Sequence, residues 1–333
     1  MIERTSRFAF TIALAASLTL VLAAAAVAAT VIGTDGNDNL VGTNAKDLIL
    51  ARAGNDTVRA LAGPDRVDAG PGNDMVSGGR GNDRIFGGDG NDSLNGNQGR
   101  DRVRGGNGDD LIRGGGGRPG HRADRLFGNA GNDTVFGGSG VDLIVGNQGD
   151  DVLHGGGGRD FIFAGPGNDK VYGGGFPGRR SDRLHGGDGN DQIFGGPGRD
   201  LISGGRGDDT EYGGAGNDRM FANLGVDTEY GGDGNDDMWA LARGDVTAPG
   251  DPTGDTLVGG NGNDRFHVRD GEVDRITCGG GFDRVSADQY DVITDATPTN
   301  RNGSCEVVVR RSIPSSDALE NATQSPPEDS EQR

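Results

Sequence analysis

Aromatic side chains are scarce in this chain of 333 residues, at 5%, and it has two cysteines, four histidines and one tryptophan. Those shortages exclude a large aromatic core, a disulfide-dense scaffold and a zinc centre built from a cysteine or histidine cluster. Apolar residues of all kinds reach only 32%, and their densest stretch lies before Thr30. What remains is too lean for two ordinary globular cores. No second long hydrophobic run follows, so nothing after the first stretch suits a membrane-spanning helix. Basic residues are outnumbered 32 to 51 by acidic ones, for a net charge of −19. That sign argues against nucleic acid and anionic lipid as partners and in favour of cations. Glycine is what the chain has in abundance: 67 residues, where average usage would give about 23.

Arg4 and Arg7 precede an apolar stretch from Phe8 to Val27, which closes on Ala26-Val27-Ala28-Ala29. A basic start, an apolar middle and a small-residue ending predict a secretory signal peptide over residues 1–29, cleaved on export, with a retained membrane anchor as the alternative. Losing Glu3, Arg4 and Arg7 with it takes the net charge from −19 to −20. The expected location is therefore secreted and extracellular, an oxidising compartment.

Aspartates recur every nine residues from Asp38 to Asp110, from Asp124 to Asp169 and from Asp182 to Asp236. A ragged set follows at Asp255, Asp264, Asp274 and Asp283. Gly78-Gly79-Arg80-Gly81-Asn82-Asp83-Arg84-Ile85-Phe86 represents the period. Glycines take places one, two and four, aspartate place six and an aliphatic place eight. Glycine at this density opposes helix by about 1 kcal/mol per residue, while the three residues after each aspartate read as a short strand. Their middle member points away from its neighbours. It is Leu40, Ile49, Val58, Val67, Val76 and Ile85 in the first turns, and apolar in nearly all the later ones. Two turns then close one coil, and two parallel sheets face each other across a thin aliphatic core. The expected fold is all-β, a right-handed parallel β-roll over residues 30–286. Insertions interrupt it near 119–123, 176–181 and 241–254.

Eleven turns match G-G-x-G-x-D in full, at Asp83, Asp92, Asp110, Asp142, Asp160, Asp191, Asp200, Asp209, Asp218, Asp236 and Asp264. Over residues 33–286 this resembles the RTX, or haemolysin-type, calcium-binding nonapeptide repeat. The resemblance implies Ca²⁺ between stacked turns as the cofactor, several ions in all, held by turn carbonyls and aspartate carboxylates. The metal ligands it implies are Asp74, Asp83, Asp92, Asp101, Asp110, Asp133, Asp142, Asp151, Asp160, Asp169, Asp191, Asp200, Asp209, Asp218, Asp236 and Asp264. The first turns, ending at Asp47 and Asp65, depart from the pattern and read as a worn cap with poorer sites.

Three departures stand out. Glu211 and Glu229 occupy the aliphatic place, one coil apart. They read as a buried, proton-sharing pair or as a local flip that turns Tyr212 and Tyr230 inward; a glycosidase-like carboxylate pair would lack a cleft. The outward ninth place carries an aromatic row, Phe136, His154, Tyr172, Phe194, Tyr212 and Tyr230. It reads first as stacking along a sheet and second as an interaction face for a polymer or glycan. Arg66, Arg84, Arg102 and Arg125 form a basic row that keeps a sheet face wet.

Cys278 and Cys305 are expected to form a disulfide that seals a C-terminal cap over residues 287–311. The Ser-, Pro- and Glu-rich residues 312–333 read as a disordered tail. No nucleophile–base pair accompanies the aspartates of the 241–254 insertion, so no enzymatic activity is expected. The expected function is that of a secreted calcium-binding β-roll with a structural or cell-surface role. A calcium-dependent adhesin using the aromatic row is the alternative.

Overall fold

The structure is a computed structural model that describes residues 11–13, 27–116, 123–175, 181–240, 253–294 and 304–312. Most of the leader, the bulk of the three insertions, His121 and nearly all of the tail lie outside the described residues. Residues through Phe161 form one compact unit and residues from Ile162 a second.

Each unit is a parallel β-roll. In the first, one sheet runs Thr30–Ile32, Leu48–Leu50, Arg66–Pro71, Arg84–Asp89, Arg102–Asn107, Arg125–Ala130 and Leu143–Gln148. Asn39–Val41, Thr57–Arg59, Met75–Arg80, Ser93–Gln98, Leu111–Gly116, Thr134–Gly140 and Val152–Gly158 form the facing sheet. In the second unit Arg183–Asp188, Leu201–Arg206, Arg219–Leu224, Asp237–Trp239, Arg265–Val268, Arg284–Ala287 and Val307–Arg310 face Lys170–Gly174, Gln192–Gly198, Thr210–Gly216, Thr228–Asp233, Thr256–Asn261, Arg275–Gly280 and Val292–Ile293. Consecutive strands alternate between sheets, so neighbours within a sheet lie two turns apart. Arg84 pairs Arg102 and Ile85 pairs Val103. Among the described residues there is no helix long and apolar enough to cross a membrane.

The eighth place forms the core as the sequence predicts: Ile49, Val67, Ile85, Val103, Leu126 and Ile144 are wholly buried. Strand length differs from expectation. Most strands span six or seven residues rather than three, because pairing resumes beyond the first glycine, as in Gly88 with Gly106 and Asp89 with Asn107. The first place thereby becomes a second inward position. A Cβ on Gly78 would meet Asp83 Oδ2 at 2.6 Å and the Gly96 carbonyl oxygen at 2.9 Å, so glycine is favoured there, with alanine in some turns and Cys278 in the Asp283 turn. At the fourth place Gly81 takes φ +151°, and an added Cβ would lie 1.8 Å from the Gly63 carbonyl oxygen, so the position excludes other residues. Where the second glycine is replaced, Arg52 and Leu61 hold φ near +80°, a strained arrangement for side chains with a Cβ. There the strands shrink to the three-residue segments Leu48–Leu50 and Thr57–Arg59.

Both ends extend past the sequence boundaries. At the N-terminal end Thr11–Ala13 pairs parallel to Thr30–Ile32, and the Ala29 N–H donates to Asp47 Oδ1 at 2.7 Å. An open sheet edge accepts any extended segment that reaches it. At the other end Val307–Arg310 adds to Arg284–Ala287. The Cys278–Cys305 disulfide, with Cα atoms 5.3 Å apart, ties that strand to the opposite sheet.

Candidate metal centres

Along both edges of each roll the sixth-place aspartates form continuous ladders. The N–H of each donates to Oδ1 of the aspartate one coil on: Asp65 to Asp83 at 2.8 Å, Asp83 to Asp101 at 2.8 Å, Asp74 to Asp92 at 2.8 Å and Asp92 to Asp110 at 2.8 Å. The same link joins Asp110 to Asp133 and Asp133 to Asp151 on one edge, and Asp142 to Asp160 on the other. In the second unit one edge runs Asp169, Asp191, Asp209 and the other Asp200, Asp218, Asp236, Asp264. All sixteen sequence-predicted ligands therefore sit in these rows, and all are buried.

One oxygen of each carboxylate is spent on that hydrogen bond; the other is the point of interest. Oδ2 of Asp74, Asp83, Asp92, Asp110, Asp133, Asp142, Asp191, Asp200, Asp209, Asp218, Asp236 and Asp264 is buried with no hydrogen-bond partner. Except at Asp74, whose turn opens on Ala69, it lies against the first-place glycine of its own turn, where an added Cβ would crowd it. A buried carboxylate oxygen without a donor is costly. Repeated in register and lined by acceptor-only groups, such oxygens suit a hard cation that takes oxygen ligands, as Ca²⁺ does. The donor chemistry therefore fits calcium.

Two turns make a different arrangement. At Asp38 and Asp47 a threonine replaces the second glycine. Thr34 donates to Asp38 Oδ2 through its N–H at 2.5 Å and its hydroxyl at 2.9 Å; Thr43 does the same for Asp47 at 2.6 and 3.1 Å. Protein donors here satisfy the oxygen that stays orphaned elsewhere. The Asp65 turn lacks both opening glycines too, yet its Oδ2 is as orphaned as the others, so it groups with the regular turns rather than with the cap.

Sequence reasoning left several members of the ladders off its ligand set. Asp56, Asp124, Asp227, Asp255, Asp274 and Asp283 accept the same backbone bond, and Asp182 donates it to Asp200. Asp291 and Glu306 extend the two rows at spacings of 17 and 23 residues, outside the nine-residue beat that would have revealed them. A second, exposed ladder also went unread. The fifth-place Asn73 N–H donates to Asn55 Oδ1, and Asn91 to Asn73, each at 2.9 Å. The recurrent Asn before Asp is its signal.

Burial pushes the ladder carboxyls upward, against the pull of the backbone bond each accepts. Asp83, Asp133, Asp142 and Asp236 rise to about 6, and Asp65, Asp92, Asp110, Asp200, Asp209, Asp218 and Asp264 to about 7. Asp191 reaches about 8. Asp227, with the Asp255 charge next to it, reaches about 10.

Glu211 and Glu229 pair directly in one sheet and are wholly buried. Tyr212 and Tyr230 stay at the surface, so the strands have not flipped. Burial first, then neighbouring carboxylates, drives both glutamates well above the ordinary range. At neutral pH that direction favours the protonated, neutral form of these carboxyls over two buried charges. Replacing Glu211 with leucine, which leaves Glu229 in place, is expected to raise stability at saturating calcium by about 1–4 kcal/mol, read as a higher urea midpoint. A large destabilisation would show that the pair does structural work.

The ninth-place aromatics stack as rows. Phe136 lies on His154 with ring centroids 4.7 Å apart. In the second unit Tyr172, Phe194, Tyr212 and Tyr230 follow at 5.0, 4.8 and 4.9 Å, with their ring planes nearly parallel. On the other sheet Phe221, Trp239 and His267 do likewise at 4.8 and 4.6 Å. The arginine row is in register, Arg84 between Arg66 and Arg102, and Arg102 beside Arg125. Arg66 and Arg102 also lie over the Phe86 and Phe127 rings at 5.3 and 5.5 Å.

No curated protein matches this chain. The family model for the RTX calcium-binding nonapeptide repeat does match, over residues 32–67, 51–85, 59–94, 68–103, 86–118, 122–153, 145–179, 176–211, 212–242 and 249–285. Those segments cover most of the chain and coincide with the aspartate ladders. The chain belongs to the RTX calcium-binding nonapeptide repeat family, and its fold is the β-roll.

Proposed function

We propose that this is a secreted protein whose β-roll is completed by calcium along both edges, with a structural or cell-surface role and no enzymatic activity. The supporting observation is the row of buried, donor-less Oδ2 atoms, which leaves each regular turn short of one positive partner. The basic-apolar-small pattern of residues 1–29 supports export. Extracellular calcium modules bind at roughly 10⁻⁴–10⁻³ M, the range expected for the regular turns. Calorimetric titration with calcium, followed by mass measurement of the loaded protein, tests the reading. Several ions per chain support it; no uptake at millimolar calcium ends it.

A second reading rests on the stacked row Tyr172, Phe194, Tyr212 and Tyr230, of which Tyr212 and Tyr230 are the most exposed. Flat aromatic faces in line suit a polymer or glycan chain. Glycan-array or cell-wall binding that disappears in a Tyr172→Ala, Phe194→Ala variant would favour this adhesin role over a purely structural one.

A further inference from the structure

One stretch of one edge departs from the repeat chemistry. The turn Arg269-Asp270-Gly271-Glu272-Val273-Asp274 carries Glu272 at the fourth place, where regular turns have glycine. Its carboxylate is not in solvent: Glu272 is 1% exposed, and Asp255 and Asp274 beside it are fully buried. One oxygen from each of the three lies within 4.8 Å of the other two. Oxygens around a Ca²⁺ ion at roughly 2.3–2.6 Å lie no more than about 5 Å apart, so one ion can touch all three.

A separate observation points into the same place. Glu229 comes from the core of the neighbouring coil, is wholly buried and has no hydrogen-bond partner on either carboxylate oxygen. Its strongest charge interaction is with Asp255. Asp274 spends Oδ1 on the Asp255 N–H, at 2.8 Å, and its Oδ2 has no hydrogen-bond partner. The charges acting on Asp274 are Asp270, Asp255 and Asp291, all acidic.

We infer that Asp255, Glu272 and Asp274, backed by Glu229, form a calcium site of a second kind: a carboxylate cage in which a glutamate side chain replaces turn carbonyls as ligand. The site rests on the calcium-binding reading above and deepens it. More carboxylates and deeper burial give tighter binding, so this site fills before the regular turns do.

The test is a calcium titration of the full chain in chelator-buffered solution, with native mass spectrometry counting ions. The wild type is expected to take up one ion ahead of the rest. Glu272→Gln keeps the shape and removes one charge; it is expected to weaken that first ion about tenfold and leave the later uptake in place. Glu272→Gly restores the residue the repeat itself uses there, so it guards against misfolding, and it is expected to lose the early ion as well. An early ion that persists in Glu272→Gly, or wild-type uptake in a single class unchanged by Glu272→Gln, overturns the cage while leaving calcium binding by the repeats intact. A wild type that takes up no calcium overturns both.

Discussion

EDTA is expected to abolish most of the strand signal in the circular dichroism spectrum at neutral pH, and added calcium to restore it. The physical comparison is between what each turn buries and what each edge repels. A turn contributes one aliphatic side chain, such as Ile85 or Val103, stabilising by about 2–3 kcal/mol. Ionised carboxylates in adjacent coils, roughly 4.8 Å apart, oppose one another by about 3–4 kcal/mol at an effective dielectric of about 20. The burial of each carboxylate adds a further cost. Repulsion and desolvation outweigh the single aliphatic, so the fully ionised, metal-free roll does not hold. A divalent ion reverses the sign of both terms, and binding becomes folding. A strand signal unchanged in EDTA would contradict the proposal that calcium completes the fold. A glutamine in place of Glu272 should leave this transition intact, because it touches only the cage.

Acid is expected to substitute for calcium. The ladder aspartates have folded-state pKa values of about 6 to 8, against 3.8 for the ordinary group. A carboxyl whose pKa is raised by folding binds its proton more tightly in the folded state. Its contribution is fully present below pH 3.8 and is lost as the pH climbs through 6 to 8. The metal-free chain should therefore gain most of its strand signal on going from pH 8 to about pH 4, while calcium affinity falls over the same interval because proton and ion compete for one oxygen. Falling net charge acts in the same direction. Circular dichroism in EDTA across that range, with parallel calcium titrations, checks both trends. A metal-free chain equally unfolded at pH 4 and pH 8 would mean that the buried carboxylates do not govern stability.

Much of this was legible because each nine-residue turn repeats one set of demands. The coil, the inward line from Leu40 to Val285 and the edge position of the aspartates all follow from period and place. The contacts between coils are less visible, since they depend on which atom faces which. The threonine caps at Asp38 and Asp47 look like faults in the pattern, yet they supply the donors that regular turns lack. Asp291 and Glu306 rejoin the edges only after irregular segments bring them back into register.

The sequence alone determined the nine-residue coil and its two-sheet architecture, because glycine spacing and alternation act locally; its charge pointed to cations, its resemblance to calcium, and its two cysteines to one bond. Tertiary structure decided which carboxylate oxygens are left without donors, that Glu211 and Glu229 face inward, and that Glu272 turns towards Asp255 and Asp274. Those outcomes depend on residues one coil away, separated by 17 to 28 positions in the chain, and distances of that kind are set only once the coils are stacked.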